Sequence, residues 1–186
     1  MTIDYQLFKL LNQLAGQNPI FDQLVLLFSK YGPILFGLIL VWLWFSNAQN
    51  QHENRKIVLY AVSIAILTLG IDKLIEMVYF RPRPFVNHSV ILLLEKSNLD
   101  PSFPSNHAAG AFALAFALFW KRRKIGAVLI LMACFMAFSR IFIGVHYPLD
   151  VLAGAFIGLA VTYIVMLLKR LLESFIHNKE IYIKQE

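Results

Sequence analysis

The chain has 186 residues, 59% of them hydrophobic and 15% charged, with a formal net charge of +6 and a mean hydropathy of +0.64. That balance excludes an ordinary soluble domain and identifies an integral membrane protein. The basic residues fall in short clusters between apolar runs, a pattern of membrane topology rather than of nucleic-acid binding, so no nucleic-acid partner is expected.

The N-terminus lacks a basic region followed by a compact apolar core and cleavage site, so no cleaved signal is expected. Residues 4 to 15 set Leu and Phe against Lys9, Asn12 and Gln13 at helical spacing, which predicts a helix lying in the membrane interface. A first span is expected over about 20 to 47, with Asp22, Lys30 and Pro33 marking interfacial or kinked early turns and Trp42 and Trp44 the far interface. A second span is expected over about 57 to 80, ended by Arg81-Pro82-Arg83-Pro84 because proline cannot continue a helix and restricts its predecessor.

A long polar connector follows and is read as a possible lid; its carboxylates Glu95 and Asp100 read as solvated, with binding of a divalent ion the rarer alternative. Three more spans are expected, over about 105 to 120, 125 to 142 and 148 to 168. The only cysteine, Cys134, lies inside one of these apolar runs and is expected to be a buried, inert thiol. The expected architecture is therefore all-α: a polytopic bundle of five transmembrane helices plus an N-terminal interfacial helix, forming a single domain over residues 1–186.

The loops carrying Arg55 and Lys56, then 121–124, then Lys169, Arg170, Lys179 and Lys184 are assigned to the cytoplasm by the positive-inside rule. The opposite face receives Arg81, Arg83, Ser105, His107, Arg140 and His146. Unusual polar residues from separate loops thus converge on the extracytoplasmic side, where intramembrane ionisable groups signal function.

The residue types point to phosphate chemistry. Arginine presents a fork of donors that matches phosphate oxygens, a role suited to Arg83 and Arg140. Ser105 follows Pro104 at an expected helix start, where a hydroxyl and free backbone N–H groups form an anion site. His146 precedes Pro148, and Asp150 in that first turn lies within reach of the imidazole; a carboxylate on one ring nitrogen frees the other as a nucleophile.

Arg83-Pro84, then Pro104-Ser105-Asn106-His107, then Ser139-Arg140 with His146 and Asp150 resemble the three signatures of the type 2 phosphatidic acid phosphatase superfamily. Within it, the Arg-Pro-Phe turn and the Ser-Phe-Pro-Ser-x-His block resemble bacterial undecaprenyl-diphosphate phosphatases of the bacitracin-resistance type, and the motif-bearing part covers about 70 to 155.

The resemblance implies a phosphatase needing no metal or other cofactor. His146 attacks phosphorus to form a phosphohistidine, Asp150 orients it, His107 protonates the leaving oxygen, and Arg83, Ser105 and Arg140 hold the nonbridging oxygens. The implied substrate is a polyprenyl diphosphate lipid, with other lipid phosphates such as phosphatidylglycerol phosphate or phosphatidic acid as alternatives. A non-enzymatic anion- or bacitracin-binding protein ranks below these. The implied place is the bacterial cytoplasmic membrane.

Two positions depart from the family pattern. Glu76 stands where the first signature has a lysine, with Lys73 one turn earlier, and Asn106 replaces a Gly or Asp. Lys73 and Arg81 are therefore secondary candidates for phosphate binding; Lys73 and Glu76 are equally able to neutralise each other, and Arg81 to anchor its helix at the head groups. Asp72, in or near the same apolar run, is expected to face the interior and pair. His52, His88 and His177 read as solvated loop residues.

Overall fold

A computed structural model describes the backbone of residues 2–46 and 48–183, and the side chains of these except Ala48 and 178–183. The described residues contain helices and no strand, in the order α1 (Ile3–Asn12), α2 (Pro19–Phe45), α3 (Gln51–Val78), a short α4 (Pro84–Asn87), α5 (Asn106–Lys121), α6 (Arg123–Phe142) and α7 (Pro148–Ile183). Four helices are long and apolar enough to cross a membrane: α2, α3, α6 and α7 over Pro148–His177. The expected third span, α5, has only 16 residues, about 24 Å at 1.5 Å per residue. It is the inner helix, packed against α3, α6 and α7.

Helix starts follow local chemistry. Asn18 caps α2, its Oδ1 accepting from the N–H groups of Ile20 and Phe21, with Pro19 in the first turn. Helix α3 stops at Val78, and Pro82 and Pro84 then hold the chain away from helical geometry until Pro84 opens α4. Helix α7 runs well beyond its expected end, to Ile183.

The main core joins α2, α3, α5, α6 and α7 through Phe36, Ala61, Ile64, Ala113, Leu118, Leu129 and Met136. The outer faces expose Leu24, Ile34, Leu38, Leu131 and Phe156, an apolar belt suited to lipid contact. Cys134 lies on this outer face, which corrects the expectation of a buried thiol. In a span, an apolar neighbourhood in sequence turns toward lipid as readily as toward protein.

Helix α5 carries alanine at 108, 109, 111, 113, 115 and 117, all buried, and α7 meets it with Gly154 and Gly158. A Cβ on Gly154 would lie 2.6 Å from the Ser105 carbonyl oxygen, and one on Gly158 2.6 Å from that of Ala109. Glycines four apart therefore bring the two backbones together, and Ser105 N–H donates to the Asp150 carbonyl at 3.1 Å.

A group of basic residues, Arg55, Arg122, Lys169 and Arg170, gathers at the end of the bundle away from the starts of α5 and α7. Arg122 donates to Asn54 Oδ1, while Arg55 lies over Trp44, Lys169 over Tyr60 and Arg170 over Trp120. Cations and aromatic rings at one end are the composition of an interfacial belt. At the other end α1 lies across α6 and α7, burying Asp4, Phe8 and Asn12 and exposing Ile3, Leu7 and Leu10.

The 85–103 connector is not a detached lid. Asn12 is bonded to Ile91 twice, donating to its carbonyl and accepting from its N–H, and Leu93 N–H donates to Ile143. These bonds leave the segment's middle tied to the bundle.

Candidate active site

The turn between α6 and α7 delivers His146. Gly144 has φ +89°, a conformation L side chains rarely adopt; it reverses the chain so that both Val145 and His146 donate N–H bonds to the Arg140 carbonyl. The His146 side chain is almost fully buried.

His146 Nδ1 lies 2.7 Å from the Ser102 carbonyl oxygen. A carbonyl only accepts, so Nδ1 carries the proton and Nε2 the lone pair. Nε2 faces Arg83 Nη1 at 3.2 Å, which suits a guanidinium donor and an imidazole acceptor. Burial, then the charges of Arg140 and Arg83, push the imidazole pKa well below its ordinary value.

The expected Asp150–imidazole hydrogen bond is not what the structure has. The closest approach, Oδ2 to Nδ1, is 3.9 Å. Fully buried Asp150 instead accepts from Arg81 Nη1 at 2.5 Å, Ser102 Oγ at 2.6 Å and Tyr147 N–H at 2.8 Å. It acts on His146 one residue removed, by fixing Ser102, whose carbonyl holds the ring. The physical reason is the α7 start: three residues of helix turn the carboxylate back onto the Tyr147 N–H.

Arg83 is buried, with Nη1 donating to the Val145 carbonyl at 2.8 Å and Nε to that of Asp100 at 3.2 Å. Burial lowers its pKa against the opposing charges of Asp100, Asp150 and Glu76. Arg140 is 2% exposed; its Nη1 donates to Ser29 on α2 at 2.8 Å, and its Nε is buried with no protein partner. Ser105 stands at the N-cap of α5, yet its hydroxyl makes no capping bond and is likewise buried and unpartnered. A guanidinium N–H in the last turn of α6 and a hydroxyl at the start of α5, both buried without protein acceptors, are what an anion requires.

His107 follows on the first turn of α5 and lines a cavity of about 300 Å³ with Phe36, Ala65, Leu69, Gly110 and Met136. The cavity runs between α2, α3, α5 and α6 and is almost wholly apolar apart from Asn106 and His107. His107 is also among the groups whose charge depresses His146.

Two secondary candidates fall elsewhere. Lys73 has a side chain that is 70% exposed and is paired with Glu76 at 3.0 Å, whereas His146 is buried. Glu76 in turn accepts from Asn106 at 2.6 Å. Arg81 is taken up by two carboxylates, Asp150 and Asp4, and stacks over Tyr147 at 4.2 Å. Burial opposes its charge, but these carboxylates raise its pKa above the ordinary value.

Asp72, expected to pair, is buried with both oxygens unpartnered. His52 lies within α3. His88, read as solvated, stacks on Tyr5 at 3.8 Å and approaches Tyr147 edge-on.

Residues 56–173, which include the whole His146 group, match the PAP2 superfamily. The chain belongs to that superfamily. This PAP2 chain is 37% identical over 94% of its length to undecaprenyl-diphosphatase BcrC of Bacillus subtilis, covering 88% of that protein. It is 30% identical over 92% of its length to a Bacillus licheniformis protein named bacitracin transport permease protein BcrC, covering 82% of it. Among solved structures, LpxE of Aquifex aeolicus superposes with a TM-score of 0.73 at 29% identity, covering 89% of this chain and 96% of that one.

The PAP2 match leaves out α1 and all of α2. Ser29, which holds Arg140, and Asp4, which holds Arg81, thus lie outside it. Sequence reasoning passed over both, and gave Ser102 no role although it opens the Ser-Phe-Pro-Ser block. The available signals were a carboxylate on an otherwise apolar helix face for Asp4, and the glycine pair at 154 and 158 for the α5–α7 contact.

Proposed function

We propose that this protein is an integral membrane phosphatase that hydrolyses undecaprenyl diphosphate to undecaprenyl phosphate and inorganic phosphate. The observation that carries the reading is the His146 ring: Nδ1 bound to the Ser102 carbonyl, Nε2 free of its own proton and aimed at a buried arginine. Such an imidazole is a nucleophile at neutral pH. The similarity to the B. subtilis undecaprenyl-diphosphatase supports the substrate choice.

In the proposed reaction the terminal phosphate displaces the Arg83–Nε2 contact and is held by Arg83, Arg140 and Ser105. Nε2 attacks phosphorus in line with the bridging oxygen. As that P–O bond breaks, His107 gives its proton to the leaving lipid phosphate. Water then attacks the phosphohistidine, with His107 taking the proton, and phosphate leaves. Because the fork of donors is fixed beforehand, it meets the charge that develops on the equatorial oxygens. The apolar cavity that begins at His107 accommodates the first isoprene units of the leaving lipid. No metal takes part.

The reaction is proposed to take place at the outer face of the bacterial cytoplasmic membrane, motivated by the basic cluster at the opposite end of the bundle. A single cysteine at position 122 in a Cys134→Ser background tests this. Protection from an impermeant thiol reagent in intact cells is expected, and labelling from outside overturns the orientation.

Phosphate release by the purified protein from undecaprenyl diphosphate, phosphatidylglycerol phosphate and phosphatidic acid tests the function. The polyprenyl substrate should lead, without response to chelator; preference for a glycerolipid overturns the substrate choice. The name carried by the B. licheniformis relative favours a second reading, a bacitracin transporter with an anion-binding pocket. That reading requires bacitracin resistance to survive His146→Ala, which the phosphatase reading forbids.

A further inference from the structure

Helix α1 reaches the His146 group through Asp4. Asp4 is 7% exposed, on a helix whose outer stripe is Ile3, Leu7 and Leu10. Its Oδ2 accepts from Arg81 Nη2 at 2.5 Å and its Oδ1 from the Leu149 N–H at 2.9 Å. Arg81 uses its other terminal nitrogen on Asp150; Asp150 accepts from Ser102 Oγ, and the Ser102 carbonyl holds His146 Nδ1. Each link is within hydrogen-bond distance.

We propose that Asp4 is a positioning residue for the His146 nucleophile, acting through Arg81 and Asp150. The argument rests on how a guanidinium distributes its donors. Arg81 lies over the Tyr147 ring at 4.2 Å and carries two carboxylates on its two terminal nitrogens, so neither end is free to rotate. Asp4 therefore decides where Arg81 sits, and Arg81 decides which face of Asp150 is left for Ser102. Without the Asp4 charge, Arg81 loses an acceptor while its side chain is 22% exposed. It then turns toward water or toward the substrate phosphate, and Asp150 loses its strongest donor. The same carboxylate accepts at the N-terminal turn of α7, the turn that bears Asp150. Asp4 lies outside the residues that match the PAP2 superfamily, so this brace belongs to the N-terminal helix and not to the shared signatures.

The inference rests on the reading of His146 as nucleophile, and the experiment separates the two. Full-length protein is purified, and phosphate release from undecaprenyl diphosphate is measured for wild type, Asp4→Asn, Arg81→Gln, the double variant and His146→Ala. Asp4→Asn is expected to lower kcat about 10- to 100-fold, the factor for a lost charge-assisted bond, with KM within about twofold. In the Arg81→Gln background the same change should cost less than about twofold more, since the two residues act as one unit.

Wild-type kcat in Asp4→Asn, or an equal loss with and without Arg81, overturns the proposal. Turnover by His146→Ala overturns the reading of the site instead. Asp4→Ser keeps an acceptor for Leu149 N–H and stands in if the Asn variant does not accumulate. If neither variant folds, Asp4 is a folding residue and the proposal fails.

Discussion

The carbonyl of Ser102 receives the Nδ1 proton of His146 at 2.7 Å, and that bond, more than any carboxylate contact, defines which ring nitrogen keeps a free lone pair. Asp150 supports it by accepting from Ser102 Oγ at 2.6 Å.

Ser102→Ala tests the support. The variant keeps the carbonyl but removes the hydroxyl that ties it to Asp150. A hydrogen bond to a buried charge is worth about 1.5–3 kcal/mol, so kcat should fall about 10- to 150-fold with KM nearly unchanged. Steady-state phosphate release measures both, and a loss confined to KM would show that Ser102 binds substrate instead.

His146→Ala removes the proposed nucleophile. Turnover should drop by at least about 10³-fold, since groups that act as a catalytic unit fail together. Wild-type protein quenched during turnover should carry an acid-labile phosphate, and His146→Ala none. Phosphorylation persisting in the variant would move the nucleophile to another residue.

Arg140→Lys keeps the charge and loses the fork. Lysine cannot bond Ser29 and a phosphate oxygen with one planar group. Loss of about 10²–10³ in kcat/KM is expected, the usual effect of removing a fixed donor to a developing charge. Activity within a few-fold of wild type would mean that Arg140 serves only to hold α2 against α6.

The pH dependence has a definite sign. In the proposed mechanism the attacking imidazole, His146, must be neutral, and burial with two nearby arginines depresses its pKa. Activity is therefore retained as pH falls through the ordinary histidine range near 6.5 and lost only when it passes the depressed value. The acid limb of kcat/KM should lie well below 6.5. Arg83→Gln removes one opposing charge, so its residual activity should show that limb at higher pH; a limb moved the other way contradicts the geometry.

Gly154→Val tests the α5–α7 approach. Even its Cβ would lie 2.6 Å from the Ser105 carbonyl, so the helices must separate. Overpacking of this kind costs about 1–3 kcal/mol, which a lower thermal midpoint in detergent should register. Activity should fall with it, because Ser105 and Asp150 move apart; an unchanged midpoint and kcat would show that α7 yields without disturbing the site.

Much of the fold was legible beforehand for a local reason. Apolar runs, proline breaks and caps act over a few residues, so the helices begin and end close to where the pattern puts them, and α5 starts at the residue after Ser105. The separation of a basic end from a histidine-bearing end is also a property of order along the chain. Length misled only at the last helix, where a local rule has no reach: α5 has the length the pattern gives it, whereas α7 runs to Ile183, well past its expected end.

By itself the sequence determined that the protein is a helical membrane protein and which residue types meet at one end of it, His107, Arg83, Ser105, Arg140, His146 and Asp150 among them. Only the tertiary structure decided who bonds whom. Ser102 lies 44 residues from His146, Asp4 145 from Leu149, and Ser29 111 from Arg140. Those partnerships depend on helix-packing distances set in part by glycines and alanines elsewhere in the bundle. Hydropathy and spacing carry no information on that scale, so they place Asp150 near His146 and cannot say that a serine carbonyl stands between them.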